Sequence, residues 1–311
     1  MWFLFALITT CAWGAADLFY KRGASASDRY SHLKTAMVVG FVMGVHAIGT
    51  LVITGMDYDP VNLLVYLPVS LMYILSMTVG YYGLKYLKLS ISSPVQNSSG
   101  AVACILCLVF LGQAVDALSA VGIALICAGV LMLGILERRG EKRAALISGP
   151  ERKYALGFTA FMLPVAYCVI DALGTFLDAY YLDDFASTPL VGVTEETLEN
   201  AANVSYELTF LLAAVIIFIF LVFIKKEKLT VFAQRDRGIA ALLETAGQAT
   251  YVFAMSGRGA VAAPMIASYS IVSLILSRLF LKEKLTRAQY LVIAAVMAGI
   301  ALLGVAEGLA E

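Results

Sequence analysis

The sequence predicts an all-α membrane protein of ten transmembrane helices, arranged as two inverted five-helix repeats. Three observations predict it. Hydrophobic residues make up 61% of the 311-residue chain and charged residues only 14%. The segment from Pro94 to Gly134 recurs without a gap as Pro264 to Gly304. Lys and Arg fall almost entirely on alternate connections between apolar runs.

A spanning helix needs about 20 mostly apolar residues, because only a helix or a closed barrel satisfies its own backbone in lipid. Apolar runs between charge clusters give spans near 3–20, 35–55, 63–84, 91–112, 117–136, 154–178, 202–224, 238–257, 260–281 and 287–306. Little chain remains for a soluble domain. The first run is too long for a signal peptide and lacks a small-residue cleavage site, so it is expected to be a retained helix. The spans divide into a first repeat at 1–136 and a second at 154–311, joined by a cytoplasmic linker at 137–153.

The repeat has a constant register of 170 residues. Pro94 falls on Pro264, Ser98 on Ser268, Val102 on Val272, Phe110-Leu111 on Phe280-Leu281 and Ala128-Gly129 on Ala298-Gly299, within 13 identities over 41 positions. Self-similarity of this kind decides a fold before anything else is read. Each half holds an odd number of spans, so the second copy must cross the membrane in the opposite sense. Inverted halves recur in proteins whose midplane site opens first to one face and then to the other.

With the connections numbered one to nine, 20 of the 22 Lys and Arg lie at odd ones: Lys21, Arg22, Arg29 and Lys34; Lys85 and Lys88; the six from Arg138 to Lys153; the five from Lys225 to Arg237; and Lys282, Lys284 and Arg287. The remaining two are Arg258 and Arg278. Asp57 and Asp59 lie on the second connection, and Asp183, Asp184, Glu195, Glu196 and Glu199 crowd the sixth. The positive-inside rule places odd connections in the cytoplasm and both termini outside. The acidic sixth connection is expected to be a solvated outer loop, with a gate or cation-attracting vestibule as the alternative.

Trp13-Gly14, Gly83-Leu84-Lys85-Tyr86, Pro94, Phe110-Leu111-Gly112-Gln113 and Phe280-Leu281-Lys282-Glu283-Lys284-Leu285-Thr286 together resemble the ten-helix drug/metabolite transporter superfamily. The resemblance covers nearly the whole chain. It implies helices one to four and six to nine around a central cavity, with five and ten at the periphery. It also implies cargo among amino acids, nucleotide sugars, sugar phosphates, amines and drugs. Gln113 departs from the Glu common at that turn and reads as structural.

Ionisable groups inside spans face the interior, pair or carry function. Asp17, Asp171, Glu207 and Glu244 qualify, whereas Lys21, Lys85 and Arg278 lie near enough to helix ends to snorkel. The cavity therefore leans acidic, against a sugar phosphate and toward a cationic or zwitterionic solute. Asp17 stands four residues before Lys21, so an ion pair competes with substrate contact; Trp13 and Tyr20 share its face. Glu244, Gln248, Tyr251 and Met255 form one stripe, with Tyr251 in repeat register with Tyr81. Asp171, Thr175 and Asp178 form another, continued inward by Tyr167, and either line an outer vestibule or run into water. Glu207 is expected to be solvated. Gln96 and Asn97 follow Pro94, whose missing N–H loosens the helix and frees carbonyls. Tyr269 joins Tyr81 and Tyr251 as a ring on which a neutral solute could stack.

His46 is a proton-coupling candidate behind Glu244, Asp17 and Asp171, with a packing role as its simpler reading. Gly40 and Gly44 suggest close helix packing. Cys11, Cys104, Cys107, Cys127 and Cys168 lie in spans and are expected to be small buried thiols. No phosphate-cradling Gly-rich loop or catalytic constellation is evident, so no enzyme activity, cofactor, metal or nucleic-acid partner is expected. The partners implied are a small solute, the bilayer and a proton or cation, with the chain a monomer or homodimer of the cytoplasmic membrane. The sequence favours a secondary transporter of a cationic or zwitterionic metabolite. A nucleoside, sugar or neutral-solute facilitator and a non-transporting receptor or scaffold are the alternatives.

Overall fold

The computed structural model describes residues 1–25, 27–148, 157–282 and 285–310. Glu283 and Lys284 of the quoted motif, the expected repeat start at 154 and the end of the 137–153 linker lie outside them. The chain is an all-α membrane protein. Its helices are α1 (Trp2–Gly23), α2 (Ser31–Thr54), α3 (Asn62–Val65), α4 (Leu67–Gly83), α5 (Leu89–Gln96), α6 (Ser99–Leu106), α7 (Ala117–Ser148), α8 (Gly157–Tyr181), α9 (Leu198–Ile219), α10 (Arg235–Met255), α11 (Gly259–Ala267), α12 (Tyr269–Phe280) and α13 (Arg287–Ala310). A π-helical turn at Cys107–Leu111 extends α6, and another at Phe220–Ile224 extends α9.

Among the described residues, eight segments are long and apolar enough to cross a membrane. The two expected spans outside that set have physical reasons to escape it. Span 63–84 is divided between the four-residue α3 and the 17-residue α4. Span 238–257 is carried by α10 up to Met255, and the helix's Gly, Ala, Thr and Gln content and Glu244 dilute its apolar character.

Helices pack in pairs: α1 on α10, α2 on α9, α4 on α8, α6 on α11 and α7 on α13. Small residues set several of these approaches, as expected where lipid is as apolar as the helix surface. A Cβ at Gly40 would stand 2.2 Å from the Phe210 carbonyl oxygen, and one at Gly100 would stand 2.4 Å from Ala267 Cβ. A Cβ at Gly122 would reach Gly299 O, and one at Gly299 would reach Gly122 O, at 2.9 and 2.8 Å.

Both proline helices break. α5 contains Pro94 and ends at Gln96; α11 contains Pro264 and ends at Ala267. Ser98 Oγ donates to Pro94 O at 3.0 Å and Ser268 Oγ to Met265 O at 2.5 Å, so hydroxyls satisfy backbone oxygens around each break. α8, by contrast, runs through Pro164 without interruption. Asp116 caps α7, accepting the N–H groups of Leu118 and Ser119 at 2.9 and 3.0 Å. Hydrogen bonding from Ser119, side chain first and then backbone, holds its carboxyl below the usual range.

The sixth connection is solvent-exposed over 184–187 and 194–196, as expected, and is anchored at Val191. Asn62 Nδ2 donates to Val191 O at 2.9 Å and Val191 N donates back to Asn62 Oδ1 at 2.8 Å. Leu190 and Leu198 are buried beneath it. The thiols also differ from expectation in part: Cys104 and Cys107 are buried, Cys127 and Cys168 half-buried, and Cys11 exposed on the outer surface of α1.

The Gly40 contact gives a stability test. Gly40→Ala should destabilise the detergent-solubilised protein by about 1–3 kcal/mol, the usual cost of overpacking, because a backbone oxygen blocks the added methyl. Gly49→Ala, with nothing within 4 Å, should be neutral or slightly stabilising. Equal thermal unfolding of the two variants would remove close α2–α9 approach as a constraint.

Candidate functional site

A narrow cavity runs through the centre of the bundle. Its walls come from α1 (Trp13, Asp17, Tyr20), α4 (Tyr73, Met77, Gly80, Tyr81), α5 and α6 with their joint (Gln96, Asn97, Ser99, Gly100), α8 (Tyr167, Asp171, Thr175), α9 (Tyr206), α10 (Glu244, Tyr251) and α11–α12 (Ala263, Ile266, Ala267, Tyr269). Neither α7 nor α13 contributes, and α2 contributes no lining residue. The volume is ≈ 70 Å³, room for about five waters at the roughly 10–15 Å³ each requires. No Lys, Arg or His lines it.

Three carboxyls do. Asp17 accepts hydrogen bonds from Ser93 Oγ at 2.7 Å and Ser273 Oγ at 2.6 Å. Asp171 accepts from Ser99 Oγ at 2.7 Å and Ser76 Oγ at 3.3 Å. Each aspartate is thus clasped by two serines on neighbouring helices. Glu244 has a weaker clasp, one bond of 3.3 Å from Tyr20 OH to Oε2. Asp17 and Glu244 are 9% and 8% exposed, and Asp171 is half-buried against the cavity. Two turns beyond Asp171, Asp178 is 1% exposed and takes the Tyr66 hydroxyl.

Aromatic rings shape the space between these acids. Trp13 stacks on Tyr251 with centroids 5.1 Å apart and meets Tyr269 edge-on at 5.9 Å. Its Nε1 donates to the Glu244 backbone oxygen at 3.1 Å, which fixes α1 against α10. Gly247 permits that approach, since a Cβ there would fall 2.4 Å from the indole. Tyr20 packs on Tyr81 at 4.7 Å, and the hydroxyls of Tyr73 and Tyr251 lie 2.7 Å apart. Tyr81 OH and Gln96 Nε2 are buried without a hydrogen-bond partner. Such orphans are costly, and both belong to side chains that line the cavity.

Of the candidates, the structure brings together Trp13, Asp17, Tyr81, Gln96, Asn97, Tyr167, Asp171, Glu244, Tyr251 and Tyr269. Gln248 is 3% exposed on α10 but is not a lining residue, so the helical stripe reaches the cavity only at Glu244 and Tyr251. Tyr251 meets Trp13 and Tyr73, whereas its repeat partner Tyr81 meets Tyr20.

Several expectations are corrected. Glu207 is not solvated: it is fully buried and faces His46 Nδ1, at 2.8 Å from Oε2. That pair lies between α2 and α9, outside the cavity lining, so His46 fits the hydrogen-bonded packing reading and is not part of the central acid group. Asp178 does not run into water. Lys85 does not snorkel: it is 4% exposed and donates to Arg29 O at 3.2 Å. Lys21 Nζ donates to Leu84 O at 2.7 Å and Leu87 O at 2.5 Å, tying α1 to the turn before α5. Gln113 does act structurally, donating to Asp183 Oδ1 at 2.5 Å and accepting from Ala260 N at 2.7 Å.

Sequence reasoning missed Tyr73 and Tyr206 as wall residues and Ser76, Ser93 and Ser273 as carboxyl partners. The available signal was serine within otherwise apolar helices, at positions that bury a hydroxyl.

An acid-lined, aromatic cavity at the centre of a multi-pass helical bundle suits a membrane transporter, and the family match shows that class. A sequence model of the EamA-like transporter family matches residues 1–135 and 206–305, and the chain belongs to that family, within the drug/metabolite transporter superfamily. It therefore moves some small solute across a membrane. No curated protein matches the chain. Among solved structures, one titled "Crystal structure of protein" is similar at a TM-score of 0.64 and 15% identity, covering 99% of this chain and 98% of that one. That likeness concerns the fold alone.

The indole geometry supplies a binding assay. Trp2 and Trp13 are the chain's two tryptophans, so Trp2→Phe leaves only the cavity indole. Emission of that variant should change on addition of a transported solute. A solute that is transported without changing it would place binding away from Trp13 and Tyr251.

Proposed function

We propose that the chain is a secondary active transporter of a small cationic or zwitterionic solute, such as an amine or amino acid, working by alternating access. The observation that carries this reading is the set of lining carboxyls, Asp17, Asp171 and Glu244, with no lining cation. Buried charge is stable only when paired and hydrogen-bonded. Serines and a tyrosine supply hydrogen bonds here, and the positive charge is left for the cargo or for a proton. A phosphorylated cargo would meet repulsion on the same surface.

Glu244 is the first choice for proton coupling. One long hydrogen bond leaves it the least satisfied of the three, whereas Asp17 and Asp171 each hold two serines. A proton and a cationic solute would neutralise the same carboxyl, which lets them exchange. His46 is the fourth choice, because Glu207 already holds it away from the cavity. The aromatic walls favour a second reading, a facilitator for a neutral nucleoside or sugar stacked on Tyr81, Tyr251 and Tyr269.

The alternating-access part rests on ten spans in inverted halves, 1–136 and 154–311. The symmetric pairing supports it. A twofold operation that exchanges span n with span n + 5 turns the α1–α10 pair into α8–α4. It maps the α2–α9, α6–α11 and α7–α13 pairs onto themselves. The Met1 amino group lies 2.6 Å from Glu307 Oε1, which puts both chain ends on one face, as an even number of crossings requires. The Lys and Arg distribution places that face outside and the 137–153 linker in the cytoplasm.

Proteoliposome flux tests the reading. Glu244→Gln should cut pH-dependent flux by about ten- to a hundredfold, the loss of one charge-assisted interaction of roughly 1.5–3 kcal/mol, while expression is spared. Wild-type flux and pH response in Glu244→Gln would sink the coupling role and move it to Asp171, then Asp17. Pure nucleoside or sugar flux insensitive to all three carboxyls would select the facilitator, and no flux for any solute would select a receptor or scaffold.

Orientation has its own check. A reporter after Glu311 should read as extracytoplasmic, and Glu196→Cys should react with an impermeant maleimide added to intact cells. A cytoplasmic reporter would reverse the assignment.

A further inference from the structure

A second hollow opens at the Lys/Arg-rich end of the bundle. It lies between the α1–α2 turn, the first turn of α2, the α4–α5 turn and the π-helical end of α9. Its volume is ≈ 470 Å³, well above that of the central cavity. Arg29, His32, Lys85, Tyr82, Tyr86 and Phe220 carry the argument, and no Asp or Glu lines it.

The basic groups here are short of partners. Lys85 is 4% exposed, and its ammonium, which has three donors, makes one hydrogen bond, to Arg29 O at 3.2 Å. The rings of Tyr82 and Tyr86, at 5.3 and 5.6 Å, offer their faces but no counter-charge. His32 Nδ1 is buried with no hydrogen-bond partner, and its ring meets Tyr82 edge-on at 4.9 Å. At the mouth, the Arg29 guanidinium rests on Tyr30 at 5.6 Å, with no ion pair among the described residues. The nearby acid, Asp28, is already engaged by Lys34 Nζ at 3.0 Å and lies 3.9 Å from Arg237 Nη2. A desolvated ammonium without an anion is costly, so the hollow is built to receive one.

Its shape and position narrow the class. A lysine, a guanidinium fork, an imidazole and tyrosine hydroxyls around one hollow suit a tetrahedral oxyanion with several acceptor oxygens. The Phe220 wall continues toward lipid through Phe223 and Ile224, which are 68% and 64% exposed. An amphiphile could therefore enter sideways, head in the hollow and chains along the end of α9. Basic pockets between helices at a membrane edge are suited to acidic lipid heads.

We propose that this hollow binds the phosphoester headgroup of an anionic phospholipid from the adjoining leaflet. The headgroup bridges the first and third connections, which Lys85 and Arg29 O already join. Tyr81 and Leu84, just before Lys85, line the central cavity. An occupied hollow thus braces that end of the transport path.

Native mass spectrometry of the delipidated full chain in detergent, titrated with phosphatidylglycerol or phosphatidylcholine, tests this. Phosphatidylglycerol should bind in preference, and the preference should fall about fivefold for each charge removed in Arg29→Gln and Lys85→Gln. Lys228→Gln, on an exposed site of the seventh connection, should leave it unchanged. Should Lys85→Gln fold poorly, Arg29→Gln and His32→Gln near the mouth report the same loss. Equal binding of the two lipids overturns the proposal, as does a preference that survives Arg29→Gln and His32→Gln. Displacement of phosphatidylglycerol by equimolar glycerol 3-phosphate would overturn the lipid source and point to a soluble phosphoester.

Discussion

Carboxyl groups held by hydroxyls rather than by cations are the constraint on which the centre of this protein depends. Asp17 and Asp171 are each satisfied by two serines, and Glu244 by a single tyrosine hydroxyl. Had Lys or Arg filled those roles, the acids would be locked as ion pairs whose separation is expensive in a lipid-excluded space. Hydroxyl donors keep the acids in place without neutralising them. The site thus has carboxyls without a lining cation, which is the observation the proposed cation carrier rests on.

The two aspartates occupy matching places. Asp17 lies on α1 and Asp171 on α8, 154 residues apart, and Trp13 and Tyr167 stand one turn before them at the same separation. Each aspartate draws its serines from the broken helices or their neighbours. Ser93 and Ser99 come from the two sides of the α5–α6 break, and Ser273 from α12. Breaks after Pro94 and Pro264 therefore place hydroxyls and loosened backbone beside charge, at a depth where unsatisfied groups are otherwise forbidden. The tight glycine contacts serve the same end: Gly100 lets α6 approach α11, and Gly247 lets α10 approach the Trp13 indole.

Much of the fold was legible because it is written in repetition and charge, two signals that survive in an apolar chain. Pro94 located the first broken helix, and Asp17, Asp171 and Glu244 announced themselves as the costly residues in their spans; the break after its register partner Pro264 was not read from the sequence. What was not legible has one physical cause. In a soluble helix the buried face is the apolar one, but here lipid and protein interior are both apolar. Tyr73 and Tyr206 therefore could not be assigned to the cavity, nor Gln248 excluded from it, by periodicity alone. The same ambiguity hid Glu207, whose position near a helix end suggested water while its partner His46 stood on another helix. Lys85 misled for a related reason: its reach to the membrane edge was visible, but the tyrosines that enclose it were not.

The narrowness of the cavity carries the last step. The cavity is ≈ 70 Å³, so in the proposed transport cycle a solute larger than that space enters only where lining side chains give way. The movable parts are the rings. Tyr20 and Tyr81 form one tilted ring pair, and Trp13 and Tyr251 form another, with Tyr73 bonded to Tyr251. On the proposed reading, displacing the Tyr20 hydroxyl, which holds Glu244 Oε2 at 3.3 Å, frees that oxygen for a cation. A cation arriving there replaces a weak hydrogen bond with a stronger charged one. Only a ligand that binds the opened arrangement better than the closed one can shift that balance, and under the proposed function that differential contact is the Glu244 carboxylate.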